Sequence, residues 1–347
     1  MTSEARVVPA GPVALAVGDP CGVGPLVSVR AALLRTADAP IVLFGDLAQL
    51  RALAETEGAQ VRAVAVDELH AVRSVAGCLH VCDTGAVPEA VLALHAPQAR
   101  AGEAQLVTLR TAASAARAGQ ARALVTGPTS KAAIVSAGHA FVGQTEFLAA
   151  LDAKADDAVT MLFLGPKLCV ALVTTHLALS AVPGEISALR VQRSVRHLTS
   201  ALQRARPGRA LRVAVSGLNP HAGEAGLFGP EELRVIAPAL AELGLSPPFA
   251  SGAVQLSGPV PAEAVFRAAQ RGDVDGVVAM FHDQATIASK LLDWGAAVNT
   301  TWGLSFLRTS VDHGVAYDAA AQGTAEHAGM LAALDLALRL TAGDARG

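Results

Sequence analysis

Three histidines stand at positions where chemistry is expected, because each follows a short apolar run typical of a buried strand. His176 comes after LCVALVTT, His221 after VAVSGLNP and His282 after GVVAMF. The carboxyl ends of parallel strands meet at one edge of a sheet, where open α/β sheets bind their ligands. Three neutral imidazoles there would suit Zn²⁺ or a similar divalent ion with one position left open. The alternative is three separate structural histidines, and the spacing alone does not decide between the two interpretations.

Two cations and an amide follow the third histidine in a chain of which only 16% of the residues are charged. Lys290 lies on one face of the predicted helix after His282, and Asn299 and Arg308 come next. Arginine binds phosphate or carboxylate through paired hydrogen bonds, whereas lysine supplies a mobile charge or moves a proton. These residues suit an anionic substrate. Solvated surface side chains are the alternative.

Strand-like and helix-like segments alternate along the chain, which predicts an α/β fold with mostly parallel sheets. The first apolar run, 13–17, leads into the glycine-rich turn GDPCGVGP, which is neither a GxGxxG fingerprint nor a P-loop. A hairpin is predicted around the GPK turn at 165–167. Ser130 is predicted to cap the helix that starts at Lys131, and Thr145 is a second candidate cap.

Composition narrows the class of protein. A chain of 347 residues is long for one core, which predicts two lobes, and a hydrophobic content of 52% predicts a compact protein rather than a disordered one. A net charge of −3 and the lack of a Lys/Arg run predict no nucleic-acid and no membrane partner. No apolar stretch reaches the ~18 residues of a membrane span, and no signal-peptide core is recognisable, so a cytoplasmic location is expected. Cys78, His80 and Cys82 fit no strong zinc pattern, and buried reduced thiols are the preferred interpretation.

A series of motifs resembles the 4-hydroxythreonine-4-phosphate dehydrogenase family of vitamin B6 biosynthesis. In chain order they are GDPCGVGP, VTGPTSK, GQTEF, TTHLAL, GLNPHAGE, GPVPAE, FHDQ and VNTTWGLSFLRTSVDHGVA. That family is similar in fold to the isocitrate and isopropylmalate dehydrogenases, so the resemblance implies two α/β lobes around a cleft. The first lobe, with nucleotide-binding elements, is expected at 1–130 plus 305–347. The second, with the metal histidines and the dimer interface, is expected at 131–304.

The resemblance also implies a role for each candidate residue. It implies a homodimer with its active site at the subunit interface, one divalent ion (Zn, Mg or Co) and NAD or NADP. The metal ligands would be His176, His221 and His282, two from one subunit and one from the other. The substrate would be bound by Gln144, Thr145, Lys290, Asn299 and Arg308, with Lys290 also catalytic through a proton. The nucleotide would be bound by the loop 312–323, through Asp312, His313, Gly314, Ala316 and Asp318.

The implied reaction oxidises 4-phosphohydroxy-L-threonine to 2-amino-3-oxo-4-phosphohydroxybutanoate, which loses CO₂ to give 3-amino-2-oxopropyl phosphate. Three residues differ from those that the family usually has. Gln144 stands in place of a histidine and Leu26 in place of a glutamate. Ser130 stands before Lys131 where the family usually has histidine or asparagine. Since a glutamine cannot become charged, Gln144 bears on the substrate more than on the reaction. One alternative is a paralogue that oxidises 4-phosphoerythronate, 4-phosphothreonate or a cis-dihydrodiol carboxylate. The other is a non-catalytic metabolite-binding protein, which the presence of all three histidines and Lys290 argues against.

Overall fold

The computed structural model describes residues 11–155 and 158–342. The chain divides into two compact units, Met1–Asp156 with Leu304–Gly347, and Asp157–Gly303. Each unit has helices around a mostly parallel sheet, which confirms the predicted α/β class. Residues 131–155, placed in the second lobe from the sequence, group with the first unit here.

Six parallel strands form the sheet of the first unit, in the spatial order β3-β4-β2-β1-β5-β12. The strands are β1 (Val13–Ala16), β2 (Ile41–Gly45), β3 (Gln60–Ala63), β4 (Cys78–Asp83), β5 (Ala123–Thr126) and β12 (Arg308–Ser310). Strands β1, β2 and β5 are buried along their whole length, which explains why they read as unbroken apolar runs.

The described residues of the first unit form eight α-helices. They are α1 (Gly24–Leu33), α2 (Leu47–Thr56), α3 (Glu89–Leu92), α4 (Ala99–Arg117), α5 (Lys131–Ser136), α6 (Gln144–Leu151), α12 (Tyr317–Gln322) and α13 (Ala328–Thr341). Two of them, α2 and α5, begin at a side chain that caps the free backbone amides. Ser130 caps α5, because its hydroxyl accepts from the Ala133 amide at 3.2 Å, as predicted. The cap predicted at Thr145 is wrong, since α6 already begins at Gln144 after an extended Gly143.

The sheet of the second unit has the order β11-β6-β7-β10-β8-β9. Its strands are β6 (Thr160–Leu164), β7 (Cys169–Leu172), β8 (Leu211–Ser216), β9 (Val254–Val260), β10 (Gly276–Ala279) and β11 (Val298–Trp302). Four neighbouring strands of this sheet, β7, β10, β8 and β9, are parallel, whereas β11 and β6 pair antiparallel. Strands β6 and β7 form the predicted hairpin.

The helices of the second unit pack on this sheet. They are α7 (Val182–Glu185), α8 (Ala188–Ala205), α9 (Ala237–Gly244), α10 (Ala262–Arg271) and α11 (His282–Leu292). Helix α8 buries Val191, Val195 and Leu198, as expected for a packing element. His197 on α8 lies 2.8 Å from the Thr160 hydroxyl, and burial lowers its pKa to about 4. In the described part of the chain, no helix is long and apolar enough to cross a membrane.

Candidate functional site

The carboxyl ends of β7, β10 and β8 lie side by side in the second unit, because the three strands are parallel neighbours. The chain continues from these ends to His176, His282 and His221 respectively. Beyond the regular ladder, the Thr174 hydroxyl still donates to the Met280 carbonyl at 2.8 Å. The histidines predicted from the sequence therefore follow strands that end at one edge of one sheet.

His176 and His282 lie together at this edge. Their ring centres are 5.5 Å apart and their planes differ by 45°. Two imidazoles on one tetrahedral ion, each bonded at about 2.1 Å, have ring centres roughly 5 Å apart, so this pair fits a shared ion. Nδ1 of His282 lies 2.7 Å from Oδ1 of Asp283. A carboxylate at Nδ1 orients a metal-binding imidazole and leaves Nε2 as the acceptor nitrogen for the ion.

His221 lies in a left-handed turn of the backbone. Within the 3₁₀ segment Pro220–Gly226, residues 221–225 all have positive φ, and only Gly223 among them is a glycine. Left-handed backbone costs a non-glycine residue roughly 1–2 kcal/mol, and such strain concentrates at functional sites. The His221 ring lies 6.2 Å from that of Phe228. Within 11–155 and 158–342, no group of three His, Cys, Asp or Glu side chains could hold a metal ion, so one chain does not assemble the predicted triad.

Glu232 holds the start of this turn, a role that the sequence did not indicate. Its side chain is only 2% exposed. It accepts from the backbone amides of Leu218 and Asn219 at 2.8 and 2.7 Å, and from the Asn219 side-chain amide at 2.9 Å. A Cβ at Gly223 would lie 2.7 Å from Glu232 Oε2, so the turn packs directly on this carboxylate. The acid lies in the π-helical segment Glu232–Ile236, eleven residues beyond the histidine that it supports.

Lys290 and Asn299 also belong to the second unit. Lys290 lies in the last turn of α11 and is exposed. Asn299 is on β11, and its Oδ1 is buried without a hydrogen-bond partner among the described residues. Buried acceptors of this kind are uncommon in native proteins, and a ligand or a water often supplies the missing donor. The observation suits the predicted role of Asn299 in substrate binding.

Arg308 and Gln144, both predicted to bind substrate, contact each other in the first unit. Arg308 on β12 is 2% exposed and donates to the Gln144 side-chain oxygen at 2.6 Å and to Thr126 Oγ1 at 3.0 Å. Burial lowers the Arg308 pKa to about 10, with the nearby Glu146 charge acting in the opposite direction, so the guanidinium stays charged at neutral pH. Thr145 is half-buried beside Gln144 at the start of α6.

The Gln144 amide is held at both ends. Its Nε2 donates to the Gly127 carbonyl at 2.9 Å and to Thr129 Oγ1 at 3.1 Å. Both N–H bonds are thus used within the protein, and only acceptor capacity on the oxygen remains. Gln144 is therefore able to accept a hydrogen bond from a ligand without having a free N–H to offer an anion.

Four of the five predicted nucleotide-binding residues lie in the loop 312–316 of the first unit, and Asp318 lies in the first turn of α12. The five residues Asp312, His313, Gly314, Ala316 and Asp318 are all exposed. Between them, Val315 is buried, and its carbonyl accepts from the Val23 amide at 3.0 Å. A Cβ at Gly22 would lie 2.1 Å from the Val315 side chain. The glycine-rich turn is thus needed for close approach of this loop.

Asp19 provides the second anchor of the loop. It is fully buried and accepts from the Cys21 amide at 2.9 Å, the Gln105 side chain at 3.1 Å and the Tyr317 hydroxyl at 2.8 Å. Burial raises the Asp19 pKa, although these three hydrogen bonds oppose the shift. The GDPCGVGP motif drew attention to Asp19, whereas nothing in the sequence indicated its bond to Tyr317.

Comparison with known proteins gives consistent results. The family model for pyridoxal phosphate biosynthetic protein PdxA matches residues 36–337. A 4-hydroxythreonine-4-phosphate dehydrogenase of Erythrobacter litoralis is 38% identical over 331 residues, 95% of this chain and 96% of that protein. A D-threonate 4-phosphate dehydrogenase of Salmonella typhimurium is 37% identical over 330 residues, 94% and 98% of the two chains. The solved structure of 4-hydroxythreonine-4-phosphate dehydrogenase from Klebsiella pneumoniae aligns with a TM-score of 0.79 and 34% identity, over 96% of this chain and 100% of that one.

Proposed function

The chain belongs to the PdxA family of pyridoxal phosphate biosynthetic proteins, and from this premise we propose that it oxidises 4-phosphohydroxy-L-threonine with NAD or NADP. The observation that carries the proposal is the His176–His282 pair, backed by Asp283, at the edge of the sheet where His221 also emerges. A dehydrogenase acting on a CH–OH group uses such a site to activate a hydroxyl.

We propose that His176, His221 and His282 bind one divalent ion, Zn²⁺, Co²⁺ or Mg²⁺. An ion bound there would withdraw electron density from the substrate hydroxyl and lower its pKa. The 5.5 Å separation suits His176 and His282 as ligands from one chain. In this arrangement His221 would be the third ligand of the metal site in a second copy of the chain. An all-nitrogen set favours Zn²⁺ or Co²⁺ over Mg²⁺.

The remaining residues bind the substrate and move its proton. In the proposal, Arg308 holds an anionic group of the substrate, while Gln144, Thr145 and Asn299 offer polar contacts. Lys290, as the neutral amine, accepts the hydroxyl proton as the C–H hydride passes to the oxidised nicotinamide, so the alcohol becomes a ketone and NAD(P) is reduced. The β-keto acid, 2-amino-3-oxo-4-phosphohydroxybutanoate, then releases CO₂ and takes up a proton to give 3-amino-2-oxopropyl phosphate.

The nicotinamide nucleotide is proposed to bind at the loop 312–323. The support is its anchoring through Val315 and Tyr317, which leaves Asp312, His313, Gly314, Ala316 and Asp318 exposed. The choice between NAD and NADP is part of the test below. We also propose a cytoplasmic location, because the four cysteines are buried and form no disulfide within the described residues, as suits a reducing compartment.

A homodimer is proposed because the segments that carry the histidines expose large apolar side chains. Helix α11 after His282 and the turn after it expose Leu291 by 80% and Trp294 by 82%. The segments after the other two histidines expose Leu179 by 70% and Leu227 by 74%. Monomeric proteins seldom leave so many large apolar groups in water, and a second copy would cover them.

The function is tested with a panel of substrates. Chelator-treated protein is assayed with 4-phosphohydroxy-L-threonine, 4-phospho-D-threonate and 4-phosphoerythronate, each with NAD and NADP and with or without Zn²⁺, Co²⁺ or Mg²⁺. We expect turnover of the first substrate that requires added metal. Turnover of 4-phospho-D-threonate alone would favour a second candidate function, the oxidation of 4-phospho-D-threonate. That candidate has support from the Salmonella typhimurium relative and from Gln144, which can accept from a hydroxyl as readily as from an ammonium group.

The shared site is tested by subunit mixing. His221→Ala and His282→Ala are each expected to be inactive. A heterodimer of the two has one intact site if His221 serves the partner's pair, so an equal mixture should recover about a quarter of wild-type activity. A mixture that stays inactive after subunit exchange, shown with differently tagged chains, would exclude the shared arrangement.

A further inference from the structure

One side chain connects the strand ends that precede two of the histidines. The regular ladder between β10 and β8 stops at Val278 and Val215. Beyond it, Oε1 of Gln284 accepts from the Met280 amide at 2.7 Å and from the Ser216 hydroxyl at 3.0 Å. Its Nε2 donates to the Gly217 carbonyl at 2.9 Å. The Gln284 side chain thus takes the place of backbone pairing where the two strands separate.

The same connection extends to the third histidine. The Thr174 hydroxyl and amide both donate to the Met280 carbonyl, at 2.8 and 3.2 Å. Met280 lies two residues before His282, and Thr174 lies two residues before His176. Gly217 begins the segment that leads to His221. The hydrogen bonds therefore connect the chain two residues ahead of His176 and His282 with the chain four residues ahead of His221.

We propose that Gln284 is a positioning residue for the metal site, which sets the relative placement of the three histidine-bearing strand ends without contacting the ion. This inference rests on the proposed function, because it takes the three histidines as metal ligands. The side chain is suited to the task because one planar amide offers an acceptor to β10 and β8 and a donor to β8. Its polar partners are held near buried strand ends, so the geometry is rigid.

The expected effect is on metal affinity rather than on chemistry. Residues that orient metal ligands typically change affinity or activity by about 10–100-fold when they are replaced. Gln284→Met keeps the length of the side chain and removes all three bonds. Thr174→Val is isosteric and removes only the hydroxyl bond between β7 and β10. We expect the Kd for Co²⁺ to rise about 10–100-fold in Gln284→Met and by a smaller factor in Thr174→Val.

The experiment titrates Co²⁺ into metal-free full-length protein and follows both binding heat and the visible absorption of the ion. Gln270→Met is the matched control, since Gln270 is exposed on α10. Oxidation by Gln284→Met should recover at saturating Co²⁺, as expected for a residue that positions ligands. Thermal unfolding of each metal-free variant identifies loss of folding, and Thr174→Val supplies the result if Gln284→Met does not fold.

The outcomes separate this inference from the function on which it rests. Wild-type protein that binds Co²⁺, with a Kd unchanged within twofold and an unchanged spectrum in both variants, would overturn the positioning role alone. Wild-type protein that binds no Co²⁺ and needs no metal for oxidation would overturn the proposed metal site and the positioning role together. A raised Kd and an altered spectrum in the variants, with Gln270→Met like wild type, would support the proposal.

Discussion

Replacing Glu232 by alanine is expected to release the left-handed turn that carries His221. Four non-glycine residues of this turn have positive φ, which costs roughly 4–8 kcal/mol at 1–2 kcal/mol each. Opposing that strain, Glu232 accepts three hydrogen bonds from Leu218 and Asn219. Bonds to a charged group contribute about 1.5–3 kcal/mol each, or about 4–9 kcal/mol together. Because the two totals are similar, the turn should not persist without the carboxylate.

Hydrogen exchange measured by mass spectrometry provides the assay. A loss of about 4 kcal/mol in local opening free energy corresponds to exchange on the order of 10³-fold faster in peptides that cover 217–226. Glu232→Gln keeps Oε1 for both backbone amides, so we expect its exchange to rise only about tenfold. Glu231→Ala is the matched control, because within the described residues Glu231 accepts only from the Asn219 side chain, at 2.7 Å.

Three results would refute this reasoning. Exchange in Glu232→Ala that stays within tenfold of wild type would mean that other contacts hold the turn. Equal acceleration in Glu231→Ala would assign the effect to the Asn219 side chain rather than to the backbone amides. Acceleration spread over β8 and α9 to the same degree would show global destabilisation instead of local release.

Three further perturbations test other parts of the fold. His197→Asn should make the stability of the protein less sensitive to acid. Burial lowers the pKa of His197 in the folded state to about 4, so the wild-type free energy of unfolding falls, by at most about 3 kcal/mol, as the pH drops from about 6.5 towards 4. Urea unfolding at pH 4.5 and pH 7.5 measures the difference. Tyr317→Phe removes one donor to the buried Asp19 and should lower the free energy of unfolding by about 1–3 kcal/mol in the same assay. Gly22→Ala would place a Cβ 2.1 Å from a valine side chain and should cost about 1–3 kcal/mol. Gly244→Ala should not destabilise, because a Cβ there would meet no described atom within 4 Å beyond its own helix backbone and chain neighbours.

Buried strands were the most predictable elements of the fold. The end of strand β8 is visible in the sequence, because its apolar run stops at Gly217. Strand β9 was missed, since only one of its seven residues is buried and it carries Gly258 and Pro259, which normally interrupt strands. Strand β12 was missed because RTS is polar, although the structure buries all three residues. The hydrophobic pattern of the sequence shows where apolar side chains are buried, but it does not show polar residues that are buried because their strand pairs within a sheet.

The candidate site was predictable in its residue types but not in its supports. A histidine after each of three strands was visible in the sequence, and two of the three lie together in the structure. The left-handed turn was not predictable, because His221, Ala222, Glu224 and Ala225 are residues that normally avoid positive φ. Gln284 appears in the sequence only as the last residue of the FHDQ motif, and its role was not predictable, since its three bonds depend on strand order rather than on local sequence.

The pairing of Arg308 with Gln144 has a consequence for how ligand affinity varies with acidity. Arg308 keeps its proton at neutral pH, and neither the Gln144 amide nor the Thr126 hydroxyl that it contacts titrates between pH 5 and 8. A phosphate monoester loses its second proton near pH 6. If Arg308 binds such a group, this contact adds an acid limb to the affinity profile that follows the ionisation of the ligand, and a sulfonate analogue with no pKa in this range should lack that limb.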